Sequence, residues 1–194
     1  MDKTASTEHP IHPLLNKRWS SRAFSTKSVE KSTLLSLLEA ARWAPSSYNE
    51  QPWHFLLAMR DEDPDSFRRI ADCLVPFNRS WAIRAPVLML IFARSHFQKK
   101  DTPNAHAWHD VGLAAMSLTV EAIHHGLGVH MLAGIDKEKI YKSFRVPEDH
   151  APVIGLVIGY HDSIEILDEG LIEKERQPRT RKPLSEIVSW GKFP

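Results

Sequence analysis

The chain has 194 residues, 42% hydrophobic and 25% charged, with 25 Lys+Arg against 24 Asp+Glu and a single cysteine, Cys73. That length buries a core as one domain, 1–194, without staples, and one cysteine excludes an internal disulfide or a cysteine-based zinc site. The balanced charge argues against a nucleic-acid partner, the longest apolar run (Ala85 to Ala93) falls well short of the ~20 residues of a membrane span, and the polar N-terminus has no secretory apolar stretch, so a cytoplasmic protein is expected.

In chain order, residues 1–13 are expected to form a flexible N-terminus. Arg18-Trp19-Ser20-Ser21-Arg22 follows. In an extended segment alternate side chains share a face, so Arg18, Ser20 and Arg22 point together. Two guanidinium forks and a hydroxyl suit a phosphate or the polar edge of a heterocycle, although such a run also reads as a solvated basic linker. Leu34, Leu37 or Leu38, and Ala41 give residues 30–44 one apolar helical stripe, which Pro45 ends.

Between Pro45 and Pro52 lie Ser46, Ser47, Tyr48, Asn49, Glu50 and Gln51. Asn and Gln present donor and acceptor together, as the carbonyl and imide edge of a flavin or pyrimidine requires. The same run is also ordinary turn chemistry. A strand is expected over Trp53–Met59 and a helix over 64–74, starting after Asp63-Pro64. Two aliphatic runs open alike, Ala85-Pro86-Val87 and Ala151-Pro152-Val153. They read as central strands covered on both faces.

The long helix over 104–126 carries two apolar seams. One is Trp108, Val111, Ala115, Leu118 and Ala122; the other is Leu113, Met116, Val120, Ile123 and Leu127. They lie roughly 200° apart at 3.6 residues per turn, so both sides need cover. The cover is either one large core or the chain's own sheet plus a partner subunit. A short strand over Val129–Leu132 follows. After Tyr160 the chain turns polar, and 161–194 reads as an extension wrapping the domain or a partner. The first glycine is Gly112 and no phosphate-cradling glycine cluster exists, so side chains must hold the phosphate of any bound nucleotide. The leading fold is α+β, a three-layer sandwich with a mixed, mostly antiparallel sheet flanked by helices.

Five segments follow one another in a set order and spacing: Arg18-x-Ser20-x-Arg22, Pro45 to Trp53, His109-Asp110-Val111-Gly112-Leu113-Ala114-Ala115, Gly126-Leu127-Gly128 with Met131-Leu132-Ala133-Gly134, and Arg179-Thr180-Arg181-Lys182-Pro183-Leu184. Together they resemble the nitroreductase family of FMN-dependent oxidoreductases. The resemblance implies an interlocked homodimer with two FMN at the interface. Arg18, Trp19, Ser20 and Arg22 would meet the FMN phosphate, ribityl chain and ring edge. Pro45, Ser46, Ser47, Asn49 and Gln51 would reach the flavin from the partner subunit. Asn78 would lie near the pyrimidine end of the ring, Met131, Leu132, Ala133 and Gly134 against it, and Arg179 and Arg181 at the phosphate.

NAD(P)H would pass hydride to flavin N5, and a nitroaromatic, quinone or other electron-poor acceptor would then collect the electrons in a ping-pong cycle. The chemistry is the cofactor's, so no catalytic side chain is assigned. Two positions depart from the family pattern: Trp81 stands where some members carry a lysine near flavin N1 and O2, and Ala133 where some carry an acidic residue. Stabilising the reduced, anionic flavin then falls to Arg22 or another group.

Two other readings compete with this one. Glu121-x-x-His124 and His106-x-x-His109 have metal-ligand spacing, but the second Glu-x-x-His of a di-iron bundle is missing; a His/Glu metal-dependent enzyme with a mononuclear site stays as an alternative, and no metal is assigned. An FMN-binding or scaffold protein without turnover is the non-enzyme alternative.

Overall fold

The sheet comprises β1 (Trp53–Met59), β2 (Val87–Arg94), β3 (Gly128–Leu132) and β4 (His150–Gly159), in a computed structural model that describes residues 3–193. The strands lie in the order β1-β2-β4-β3. Among the described residues eight helices surround them: α1 (Pro13–Lys17), α2 (Lys31–Arg42), α3 (Pro64–Asp72), α4 (Pro76–Ala82), α5 (Ala107–His124), α6 (Lys137–Phe144), α7 (Glu169–Arg176) and α8 (Leu184–Ile187). All three pairings are antiparallel. No parallel pair occurs among the described residues, so within one chain the sheet is antiparallel rather than mixed.

The two proline-led strands, β2 and β4, occupy the centre, as their unbroken aliphatic runs predict. Strand alternation splits β2 between two cores. Leu88, Leu90 and Phe92 face α3, α4 and α6, whereas Val87, Met89, Ile91 and Ala93 face α2 and α5. This is the expected three-layer α+β arrangement. Pro152 sits inside β4 opposite Phe92, and the register shifts between Ile91 and Phe92, leaving Val153 without a partner. The bulge accommodates a residue with no N–H to donate.

Helix boundaries follow local chemistry. The Asp63 side chain accepts from the Ser66 N–H with Pro64 opening α3, and the Asp136 side chain caps α6 through the Lys139 N–H. Gly126, at φ 72°, ends α5, and the Leu127 N–H donates to the Ala122 carbonyl at 2.8 Å, the glycine-terminated helix stop.

One seam of α5 differs from expectation. The buried stripe runs through Ala107, Val111, Ala114, Ala115, Leu118 and Ala122. It passes beside Trp108, which is 46% exposed, because a four-residue step back from Val111 lands on Ala107. The opposite seam is only half-buried at Leu113, Met116, Val120 and Ile123, while its last member, Leu127, past the end of α5, is buried in the core. The extension after Tyr160 also divides in two. Leu167 and Leu171 enter the chain's own core, whereas Ile187, Trp190 and Phe193 stay exposed.

Candidate functional site

Two chain ends converge on one cavity of about 250 Å³. From the N-terminal side come Lys3, Arg18, Trp19, Ser20 and Arg22; from the C-terminal side come Lys174, Glu175, Gln177, Pro178, Arg179 and Arg181. Six of these side chains are cations and one is a carboxylate. The extended run at 18–22 and the basic run at 179–181, more than 150 positions apart, thus form a single electropositive pocket.

Its geometry is held from several sides. Arg18 Nη1 donates to Ser20 Oγ at 3.2 Å, which fixes the expected shared face. Arg179 Nη1 donates to the carbonyls of Lys3 and Asn16, at 2.5 and 3.0 Å, and Lys3 Nζ donates to the Gln177 carbonyl at 2.6 Å. Burial first, and then the charges of Arg179 and Arg181, push the Arg18 guanidinium below its usual pKa. Burial and Arg181 do the same to Arg179. Crowded like charges of this kind are relieved by an anion.

Beside the cations, Arg22 is paired rather than free. Its Nη1 lies 2.9 Å from Glu175 Oε1, and the Glu175 side chain is 1% exposed. The Arg22 guanidinium lies 5.9 Å from the centre of the Trp81 ring. Trp81 is fully buried between Phe24 and His130. Arg22 Nε and Trp81 Nε1 are buried with no hydrogen-bond partner among the described residues. Orphan donors cost free energy; Arg22 lines the pocket, where an acceptor-rich group would relieve its share. His130 Nδ1 lies 2.8 Å from the Ser21 carbonyl, to which it donates. Burial, assisted by Arg22 and Arg18, depresses its pKa to about 4.

Asn78, on α4, meets the turn after β3. Its Nδ2 donates to the Gly134 carbonyl at 3.2 Å, and the Val75 N–H donates to the same oxygen. A Cβ on Gly134 would lie 2.2 Å from Asn78 Nδ2 and 2.7 Å from Val75 Cγ2, so this approach requires glycine. Ala133 is exposed and Leu132 is buried in the core, while Met131 packs on the α2 and α5 side. This stretch can therefore offer backbone, but not the Leu132 or Met131 side chains, to a ligand. The Lys174 ammonium over the Phe77 ring, at 4.7 Å, links α4 to the cation pocket.

The loop from Pro45 to Pro52 stands apart. It lines a different cavity, with Phe97, Lys99 and Lys100, and contributes nothing to the cation pocket of the same chain. Tyr48, Asn49 and Gln51 all have φ between 51° and 55°, a left-handed conformation that costs free energy for residues with a Cβ. Several bonds hold it there. The Ser47 N–H donates to buried Asp110 at 2.9 Å, the Gln51 N–H to Ser46 Oγ at 3.0 Å, and Gln51 Nε2 to Asn49 Oδ1 at 3.3 Å.

Sequence reading missed Lys3, Lys174 and Glu175 at the pocket, His130 against the Ser21 carbonyl and Trp81, and the anchoring role of Asp110. Only Asp110 left a signal, within the His109-Asp110-Val111-Gly112 motif. No group of three or more His, Cys, Asp or Glu among the described residues could hold a metal ion, and no helix among them is long and apolar enough to cross a membrane.

The nitroreductase family profile matches residues 15–160. A solved structure described as an oxidoreductase containing FMN superposes with a TM-score of 0.92 at 35% identity, covering 97% of this chain and 96% of that one. The Bacillus subtilis (strain 168) protein YdgI, named as an NAD(P)H nitroreductase, is 25% identical over 84% of this chain and 88% of its own length. A Thermus thermophilus NADH dehydrogenase is 26% identical over 90% and 92%.

Proposed function

This chain belongs to the nitroreductase family, and from that premise we propose that it is an FMN-dependent oxidoreductase moving electrons from NAD(P)H to a nitroaromatic, quinone or similar electron-poor acceptor, in two half-reactions at one site. The observation that carries the reading is the cation pocket in which Arg18 and Ser20 meet Arg179 and Arg181. With no glycine-rich phosphate loop in the sequence, this side-chain cluster is what a flavin phosphate requires. Arg22, which lines the same pocket with its Nε unpartnered among the described residues, fits the acceptor-rich edge of the same molecule.

When bound, FMN supplies the two-electron exchange between donor and acceptor. The chain's own residues bind and orient it. Arg18, Ser20, Arg179 and Arg181 would hold the phosphate, with Trp19 and Arg22 alongside. Asn78 and the backbone of 132–134 would lie against the ring, with Asn78 fixed by the Gly134 carbonyl. No side chain is assigned as acid or base; the protons would come from water or a neighbouring group.

The homodimer belongs to the same proposal. The 45–52 loop is braced in a costly conformation away from its own chain's pocket, which suits a contribution from the partner subunit. On α5 the second seam is half-buried, and a Cβ on exposed Gly112 would meet nothing within 4 Å among the described residues. A mid-helix glycine costs about 1 kcal/mol relative to alanine, and close approach of a second helix would offset that. The exposed Ile187, Val188 and Trp190 of the extension offer apolar surface for wrapping a partner.

The test is the visible spectrum of the purified protein under anaerobic conditions. A flavin band that bleaches with NADH or NADPH and returns on adding a quinone is the expected result. A flavin band that no nicotinamide bleaches would indicate binding without turnover, and a colourless protein that takes up no FMN would overturn the reading.

A further inference from the structure

We infer that Glu175 is a positioning residue that fixes Arg22 and offsets its charge, setting the electrostatic field that the flavin ring meets. The inference rests on the FMN reading above. A carboxylate inside an anion-binding pocket opposes the ligand. Burying it there is costly unless it is paired, and apolar residues of similar volume often replace a buried ion pair without loss of stability. Packing therefore does not account for Glu175.

Its contacts do. Oε1 accepts from Arg22 Nη1 at 2.9 Å, and Oε2 accepts from Ser21 Oγ at 3.4 Å. The carboxylate is thus gripped by two consecutive residues of the 18–22 segment, 153 and 154 positions away in the chain. It binds one terminal nitrogen of Arg22 and leaves Nε without a partner among the described residues, so the guanidinium is oriented by one end. The ring beneath Arg22 is Trp81, which carries no charge. On the FMN reading Arg22 is a cation at the ring edge, and Glu175 cancels much of its field. Among the described residues Arg18 and Arg179 have no carboxylate of this kind, and they keep their full charge for the phosphate. Within the pocket the Arg22 charge is locally compensated, whereas, among the described residues, those of Arg18 and Arg179 are not.

A compensated Arg22 gives little help to the anionic reduced flavin. Glu175→Gln preserves shape and can still accept from Arg22, while leaving that positive charge uncompensated. The midpoint potential of bound FMN, measured by dye equilibration on protein checked by circular dichroism, is expected to shift upward. The expected preference for reduced over oxidised flavin rises about tenfold, about 30 mV for a two-electron couple. A purely structural role would lower stability and leave the potential where it was.

The double variant Arg22→Gln/Glu175→Gln removes both charges together and serves if the single variant does not fold. Its potential is expected to match wild type. A folded, flavin-bound Glu175→Gln with an unchanged or lowered potential would overturn the inference and leave the FMN reading standing, as would a double variant whose potential departs from wild type. Wild-type protein that takes up no FMN would overturn both.

Discussion

Arg18→Ala combined with Arg179→Ala is expected to reduce FMN affinity by 100-fold or more and to yield protein that loses its yellow colour on desalting. Each arginine would give the phosphate charge-assisted hydrogen bonds, worth about 1.5–3 kcal/mol apiece. Burial and the charges of neighbouring arginines, Arg179 and Arg181 for Arg18 and Arg181 for Arg179, already hold both below their usual pKa, so each gains more from an anion than a solvated arginine would. Arg179 also ties the carbonyls of Lys3 and Asn16, and a thermal melt is needed to separate lost anchoring from lost charge. Arg94, which pairs with Asp149 elsewhere on the sheet, provides the control: Arg94→Ala should keep its flavin. Unchanged flavin content in the folded double variant would remove the phosphate assignment.

Acid sensitivity is the second large effect. His130 is buried beside Trp81, Arg22 and the Ser21 carbonyl, and its pKa falls from an ordinary 6.5 to about 4. Between those values the unfolded chain binds a proton that the folded one refuses. Stability is therefore full above about pH 6.5 and declines as pH falls toward 4. The loss attributable to this one group is about 3 kcal/mol, a large fraction of a typical domain's stability. His161, stacked on Trp19 and depressed mainly by burial, acts in the same direction. Urea unfolding of the flavin-free protein at pH 7 and pH 4.5 measures the slope. His130→Gln retains a donor for the Ser21 carbonyl and cannot titrate, so its slope should be clearly shallower. Equal slopes in the two proteins would place the acid sensitivity elsewhere.

Much of the fold was legible because its signals are local. Trp53–Met59 is readable to the residue, and Asp63-Pro64 marks the start of α3 because capping and a missing N–H act within one turn. The proline-led runs identify the central strands because residues covered on both faces need no polar alternation. Helices α4 and α6 were not legible. Each is short, and the apolar content of Pro76–Ala82 has no repeat long enough to establish a period. Yet α4 carries Asn78, whose place beside Gly134 depends on the turn after β3.

The site divides along the same line. Sequence by itself determined that no glycine loop is present, that guanidinium groups are paired at 18–22 and 179–181, and that an amide-rich loop lies between two prolines. It also determined that α5 has two apolar sides. Only the tertiary structure decided that both arginine runs share one pocket, that Arg22 is committed to Glu175, that His130 and Trp81 lie beneath it, and that the 45–52 loop stands apart from its own chain's pocket. Periodicity, caps and turn residues act over a few positions and can be read in order. Which charges meet, and how far burial shifts them, depends on the packing of segments more than 150 residues apart, and no local pattern encodes that.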